Sequence, residues 1–316
     1  MIQIMTCARV RTRGLSCAIA LATSVALAGC LGSGGGGDAA PASNGNTEPV
    51  VTIAGGTAPT NMQARPTTAS DATRFADQTS FGATETSVAE IQQKGPELAL
   101  EEQLVKPGMG LQAMGAVPVD PAQQCPSGSA ATCERDYYTA FHLQKQFFWN
   151  AVHGADQLRQ RVAFALSQIV VVSANTIDPA YANRNFQQML QVNAFGNYRT
   201  ILLEATLSPV MGAYLNMVNN VKADPVRGTE PNENYARELL QLFSVGEYLL
   251  NADGTRQLDG QGNPINTYDQ DVIENFARVF TGWTYPPRPG AVSRFPNAQY
   301  FEGRMVAFAA QHDIGA

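Results

Sequence analysis

Apolar residues recur at helical spacing through almost every segment after about Ser70. Thr86–Lys94 reads as a helix stopped by Gly95, and Pro96 starts another through about Leu104. An aromatic-rich helix is expected from Glu134 to about Ala151. Asp156 caps a nearly all-apolar helix through Ser173, which that composition places at the centre of the core. Asp178-Pro179 opens a helix closed by Gly196, Asn197–Leu207 follows, and Ser208-Pro209 opens one more through about Val218.

Two later stretches have sharply divided faces. Winding residues 232–246 at about 100° per residue gathers Glu233, Asn234, Arg237, Glu238, Gln241 and Ser244 on one arc, with Tyr235, Leu239, Leu242 and Phe243 opposite. In residues 269–283, Val272, Ile273, Phe276, Ala277, Val279, Phe280 and Trp283 share one side, against Gln270, Asp271, Glu274, Asn275 and Arg278. Between them, Asn251-Ala252-Asp253-Gly254 and Asp259-Gly260-Gln261-Gly262-Asn263 carry turn residues, which predicts a small two-stranded hairpin. Thr267 with Gln270 has capping-box spacing for the second helix. Arg304–Ala310 suits a short helix or strand. The fold class expected is therefore mainly α, a multi-helix globular domain with a small β-hairpin between two polar-faced helices.

These two stretches carry a family likeness. Asn232-Glu233-Asn234-Tyr235-Ala236-Arg237-Glu238-Leu239, followed by Tyr268-Asp269-Gln270-Asp271-Val272 and Ala277-Arg278-Val279-Phe280-Thr281-Gly282-Trp283, resembles the signature of the bacterial family called domain of unknown function 1800. Arg74–Gly82 is similar to the family's opening and Leu158–Ile169 to its middle. The resemblance runs from about Ser70 to the last residue and implies a mainly helical secreted domain with no established activity. Family members continue well past the His312-Asp313 pair, which implies that the helical domain at 70–316 is C-terminally incomplete. They are often encoded beside a secreted family that resembles sulfatase-like hydrolases, which implies such a protein as partner.

The first residues change the picture from fold to address. Arg9, Arg11 and Arg13 precede an apolar run from Leu15 to Ala28, so residues 1–29 read as a signal peptide. Leu27-Ala28-Gly29-Cys30 resembles the bacterial lipobox, which implies lipidation of Cys30 and a membrane tether without a spanning segment; the alternative is an ordinary secretory signal cut near the same place. Leu31, where an Asp resembles a signal for inner-membrane retention, directs the expectation to the outer membrane. Residues 30–69, rich in Gly, Ala, Pro and Thr, are expected to form a flexible tether.

Loss of residues 1–29 removes three arginines and no acid, leaving 18 basic against 27 acidic residues and a formal charge of −9. That balance argues against nucleic acid as a partner. Of five cysteines, Cys7 and Cys17 leave with the signal and Cys30 takes lipid. Cys125 and Cys133 close a short loop and are expected to pair in an oxidising compartment. A catalytic thiol is the alternative, with His142 the nearest His in sequence.

Glu233, Arg237, Glu238, Asp271, Glu274 and Arg278, with His312 and Asp313, form the densest polar constellation. If the two helices pack antiparallel, their polar arcs flank one groove, where paired carboxylates supply acid and base, an Arg holds an anion, and His312 carries a proton. The same residues support a plainer reading. Glu233 with Arg237, and Glu274 with Arg278, stand four apart as helix-stabilising pairs, and Glu238 has Arg161 as a potential buried partner. Calcium-loop spacing, His-Glu-x-x-His and Gly-x-Ser-x-Gly are all missing from the sequence, so neither a metal nor a cofactor is expected. Two function classes remain: a non-catalytic envelope component that docks a partner, and a carboxylate/Arg hydrolase acting on an extracellular polymer or ester.

Overall fold

A computed structural model describes residues 52–57, 63–111 and 125–315. The signal peptide, Cys30 and most of the expected tether lie outside these residues. The described chain is mainly helical, with short antiparallel pairings. Among the described residues no helix is long and apolar enough to cross a membrane.

The boundary expected at residue 69 moves towards the N-terminus. Thr52–Ile53 (β1) pairs antiparallel with Gly108–Met109 (β2), and Ile53 is buried. Arg65 and Thr67 donate backbone hydrogen bonds to the Lys94 and Gln92 carbonyls. Ile53 supplies the apolar side chain that this pairing buries, while Thr52 stays exposed. Helix α1 (Ala69–Thr79) follows, capped by Thr68, whose hydroxyl accepts from Asp71 N at 3.1 Å.

Helices α2 (Glu85–Lys94) and α3 (Pro96–Val105) lie where the start and stop residues put them. Thr84 and Ser87 cap α2 reciprocally, and Gly95 turns the chain at φ 82°. A side chain there would meet the Arg65 carbonyl. Cys125 and Cys133 form a disulfide at the start of α4 (Cys133–Tyr138).

The single aromatic-rich helix expected from Glu134 is two. Thr139 is extended, donates to the Arg135 carbonyl at 2.7 Å and caps α5 (Ala140–His153) by accepting from Phe141 N. A threonine hydroxyl competing for backbone groups divides the run. Helix α6 (Gln157–Ile169) is shorter than expected and does not occupy the core's centre, since Ile169 is 48% exposed. Its polar residues, Arg159, Gln160, Arg161, Ser167 and Gln168, leave only part of its circumference for the core.

The centre belongs to α7 (Ala180–Val192), which buries Tyr181, Ala182, Phe186 and Leu190 at helical spacing. Helix α8 (Tyr198–Leu207) is capped by Asn197, and α9 (Pro209–Tyr214) by Ser208. The latter ends well before Val218, because Asn216 and Asn219 take φ of 59° and 62°, a left-handed conformation Asn tolerates. Helix α10 (Asn234–Gln241) and helix α11 (Gln270–Val279) complete the core with Tyr235, Ala236, Ile273 and Ala277. Asp269, not Thr267, caps α11, accepting from Val272 N at 3.0 Å.

The hairpin between α10 and α11 carries a third arm. Tyr248 bridges to Asn266, Leu250 to Arg256 and Leu258 to Pro264. Leu249, Gln257 and Ile265 pass backbone hydrogen bonds around a closed ring: Leu249 N to Ile265 O, Ile265 N to Gln257 O, and Gln257 N to Leu249 O. Two turn clusters eight residues apart, rather than one, produce this. Finally, Trp283–Thr284 (β3) pairs antiparallel with Val306–Ala307 (β4), bringing the last described residues against the end of α11.

Candidate functional site

The start of α10 is held from below by asparagines. Asn220 clasps Asn232, accepting from its backbone N at 2.8 Å and donating to its carbonyl at 3.3 Å. Asn232 Oδ1 in turn accepts from Asn234 N, and Asn234 Nδ2 reaches Asn216 Oδ1 at 3.1 Å. Asn219 is tied to β3 by Trp283 O and the Thr284 hydroxyl. Tyr235 enters the core, its hydroxyl 2.6 Å from Thr206 Oγ1 on α8 and its ring against Phe280. Burial pushes its pKa up to about 12.

On the outer side, the starts of the two helices meet through Gln270. Its amide donates to both Glu233 oxygens, at 3.1 and 3.0 Å, and to Glu274 Oε1 at 3.2 Å. Arg237 pairs with Glu233 at 2.7 Å and reaches Gln270 Oε1 at 3.4 Å. Glu233, Arg237 and Glu274 are thus collected around Gln270, where the starts of the two helices meet, while Tyr235 of α10 reaches Phe280 at the end of α11. Asp271 is exposed in the first turn of α11, where a carboxylate complements the helix dipole. Glu238 does not pair with Arg161, whose guanidinium lies over the Phe81 ring. One Glu238 oxygen is buried without a hydrogen bond.

The rest of the constellation forms a socket. Gly282 sits at φ 81°, and an added Cβ would lie 2.8 Å from His312 N and 2.9 Å from Phe308 O. Only a glycine lets the 308–313 segment approach so closely. Thr281 Oγ1 donates to Arg278 O and accepts from Asp313 N at 2.8 Å. His312 Nδ1 lies 2.9 Å from Thr281 O, so that nitrogen carries the proton. Arg278 grips Asp313 with two nitrogens, Nε at 2.8 Å and an Nη at 3.2 Å, and reaches Gly315 O and Asn275 Oδ1. The hydrogen-bonded guanidinium holds the Asp313 carboxyl below the usual carboxylate range, and Asp313 raises Arg278 in return. His312 and Asp313 therefore face the end of α11, while Glu233 and Glu274 cluster with Gln270 at its start.

Several residues in this arrangement escape a reading based on charge. Asn216, Asn219, Asn220, Gln270 and Thr281 are neutral, and amides and hydroxyls look alike in loops and on surfaces. The repeated Asn in Asn216-Met217-Val218-Asn219-Asn220 is the signal that marks them. Among the described residues, no three of His, Cys, Asp and Glu come together as metal ligands would.

Comparison with curated proteins and with solved structures yields no match. A family model described as a protein of unknown function, DUF1800, matches residues 74–316, which includes α10, the ringed hairpin, α11 and the His312 socket. The chain belongs to the DUF1800 family.

Proposed function

We propose that this protein is a non-catalytic, partner-docking component of the cell envelope, held at the outer membrane by lipid on Cys30. What supports this reading is that both arginines of the signature are already engaged by carboxylates of the same chain. Arg237 is satisfied by Glu233, and Arg278 by Asp313. A groove built for hydrolysis needs carboxylates converging on a cavity with an unpaired cation left for the substrate. Phe276 and Val279 stand one turn apart on α11 at 36% and 56% exposure, and Leu242 and Val245 are exposed just after α10. Apolar residues rimmed by a rigid polar network suit a protein partner. The secreted sulfatase-like family implied by the resemblance is the partner to test first.

Photo-crosslinking in the producing cell tests this reading. Benzoylphenylalanine in place of Phe276 or Val279 is expected to give one discrete crosslinked species. The same probe at the fully exposed Val226 is expected to give none. Equal labelling at all three positions would contradict docking at α11. So would an esterase or glycosidase activity that disappears in Glu233→Gln or Glu274→Gln.

A further inference from the structure

We propose that the cavity between α5, α6 and α7 is a binding site for one neutral aromatic molecule bearing an N–H or O–H donor. The cavity measures about 370 Å³, within the range of small-molecule sites. Its walls are apolar and aromatic, with Leu143, Phe147 and Phe148 from α5 and Ala163 and Phe164 from α6. The rings form one braced cluster: Phe147 meets Phe148, Phe164 and Phe81 at centroid distances of 5.4, 5.5 and 5.6 Å. Edges and faces already set at these angles accept a further ring more readily than a flexible chain. The lining includes no charged side chain, so the occupant it suits is neutral.

The hydrogen-bond balance of the polar lining defines the occupant further. Gln160 commits its amide hydrogens to Met109 O at 2.7 Å and Asp156 Oδ2 at 3.0 Å. Its own oxygen accepts from Gln191 Nε2 at 3.0 Å. Gln191, only 6% exposed, is left with a buried Oε1 that accepts nothing. Ser167, also in the lining, has given its hydrogen to Phe164 O at 2.7 Å. Gln144 and Gln187 complete the polar lining, and among these groups Gln191 Oε1 is the buried acceptor left unmet. A buried acceptor left unmade is costly, and a ligand that supplies a hydrogen removes that cost. These residues are separate from the α10–α11 signature, so the site stands independently of the docking function.

The probe is N-phenyl-1-naphthylamine, a neutral aromatic with a single N–H whose fluorescence rises when it leaves water, titrated into the full-length chain. One saturable site per chain is expected, with the N-methyl analogue, which has no donor, bound at least tenfold more weakly. Ala163→Leu, which fills the cavity, is expected to abolish the site. Should that variant fail to fold, Ser167→Leu fills it from a half-buried position. Gln191→Leu is expected to erase the difference between the two amines. The proposal is overturned by any of three results: no saturable binding to the full chain, equal affinity for the two amines, or unchanged binding in a folded, cavity-filled variant.

Discussion

Gly282 shows how one residue can account for a signature. Its backbone conformation is one that L side chains rarely adopt, and three atoms of the facing segment occupy the space a Cβ requires. Gly282→Ala therefore strains the local backbone and pushes the 308–313 segment away. A loss of about 1–3 kcal/mol is expected, the scale of a residue forced into a sparsely populated conformation, measured by urea unfolding. Thr281 acts beside it through a hydroxyl that donates to one backbone group and accepts from another. Charge was the feature of this stretch that the sequence made conspicuous, yet a glycine and a threonine explain why the chain returns here.

At the scale of elements, Tyr235 links α8 to α10 through Thr206, and its titration can be followed. Tyr235→Phe removes that hydrogen bond at a cost of about 0.5–1.5 kcal/mol. The sign of its pH dependence follows from a folded pKa near 12 against an ordinary 10.0. The folded state keeps the proton longer, so this contribution is intact below pH 10 and is lost as pH rises towards 12. The wild-type advantage over Tyr235→Phe should shrink through that window in parallel unfolding curves. Helix positions were largely legible, because caps and breakers such as Gly95-Pro96, Asn197 and Ser208-Pro209 act locally. The failures have tertiary causes. Helix α6 looked central from its apolar content, but Arg159 and Gln160 reach the Gln191 and Met109 carbonyls, and α7 has the more regular apolar stripe. The third arm of the hairpin depends on a backbone ring closed by Leu249, Gln257 and Ile265, which no local pattern encodes. The strand at Thr52 was hidden because its partner lies more than fifty residues away.

Across the whole molecule, the two motif helices, the asparagine loop at 216–220 and the segment ending at Asp313 form one connected assembly, fastened onto a core centred on α7. Glu233, Arg237, Glu274, Arg278 and Asp313 all stand in the constellation that the sequence makes conspicuous. The sequence does not separate the Gln270 cluster from the socket, because that division depends on where the chain after β3 returns. The signature binds the chain to itself through the Arg278–Asp313 pair. The most direct test is a double-mutant cycle on the full-length protein, comparing urea unfolding of wild type, Arg278→Met, Asp313→Asn and the double variant. Each single variant is expected to be less stable than wild type, and the double variant to lose less than the two losses added together, as partners in one contact do. Single variants as stable as wild type, with purely additive effects, would contradict this and would mean that Arg278 and Asp313 are held for a ligand instead.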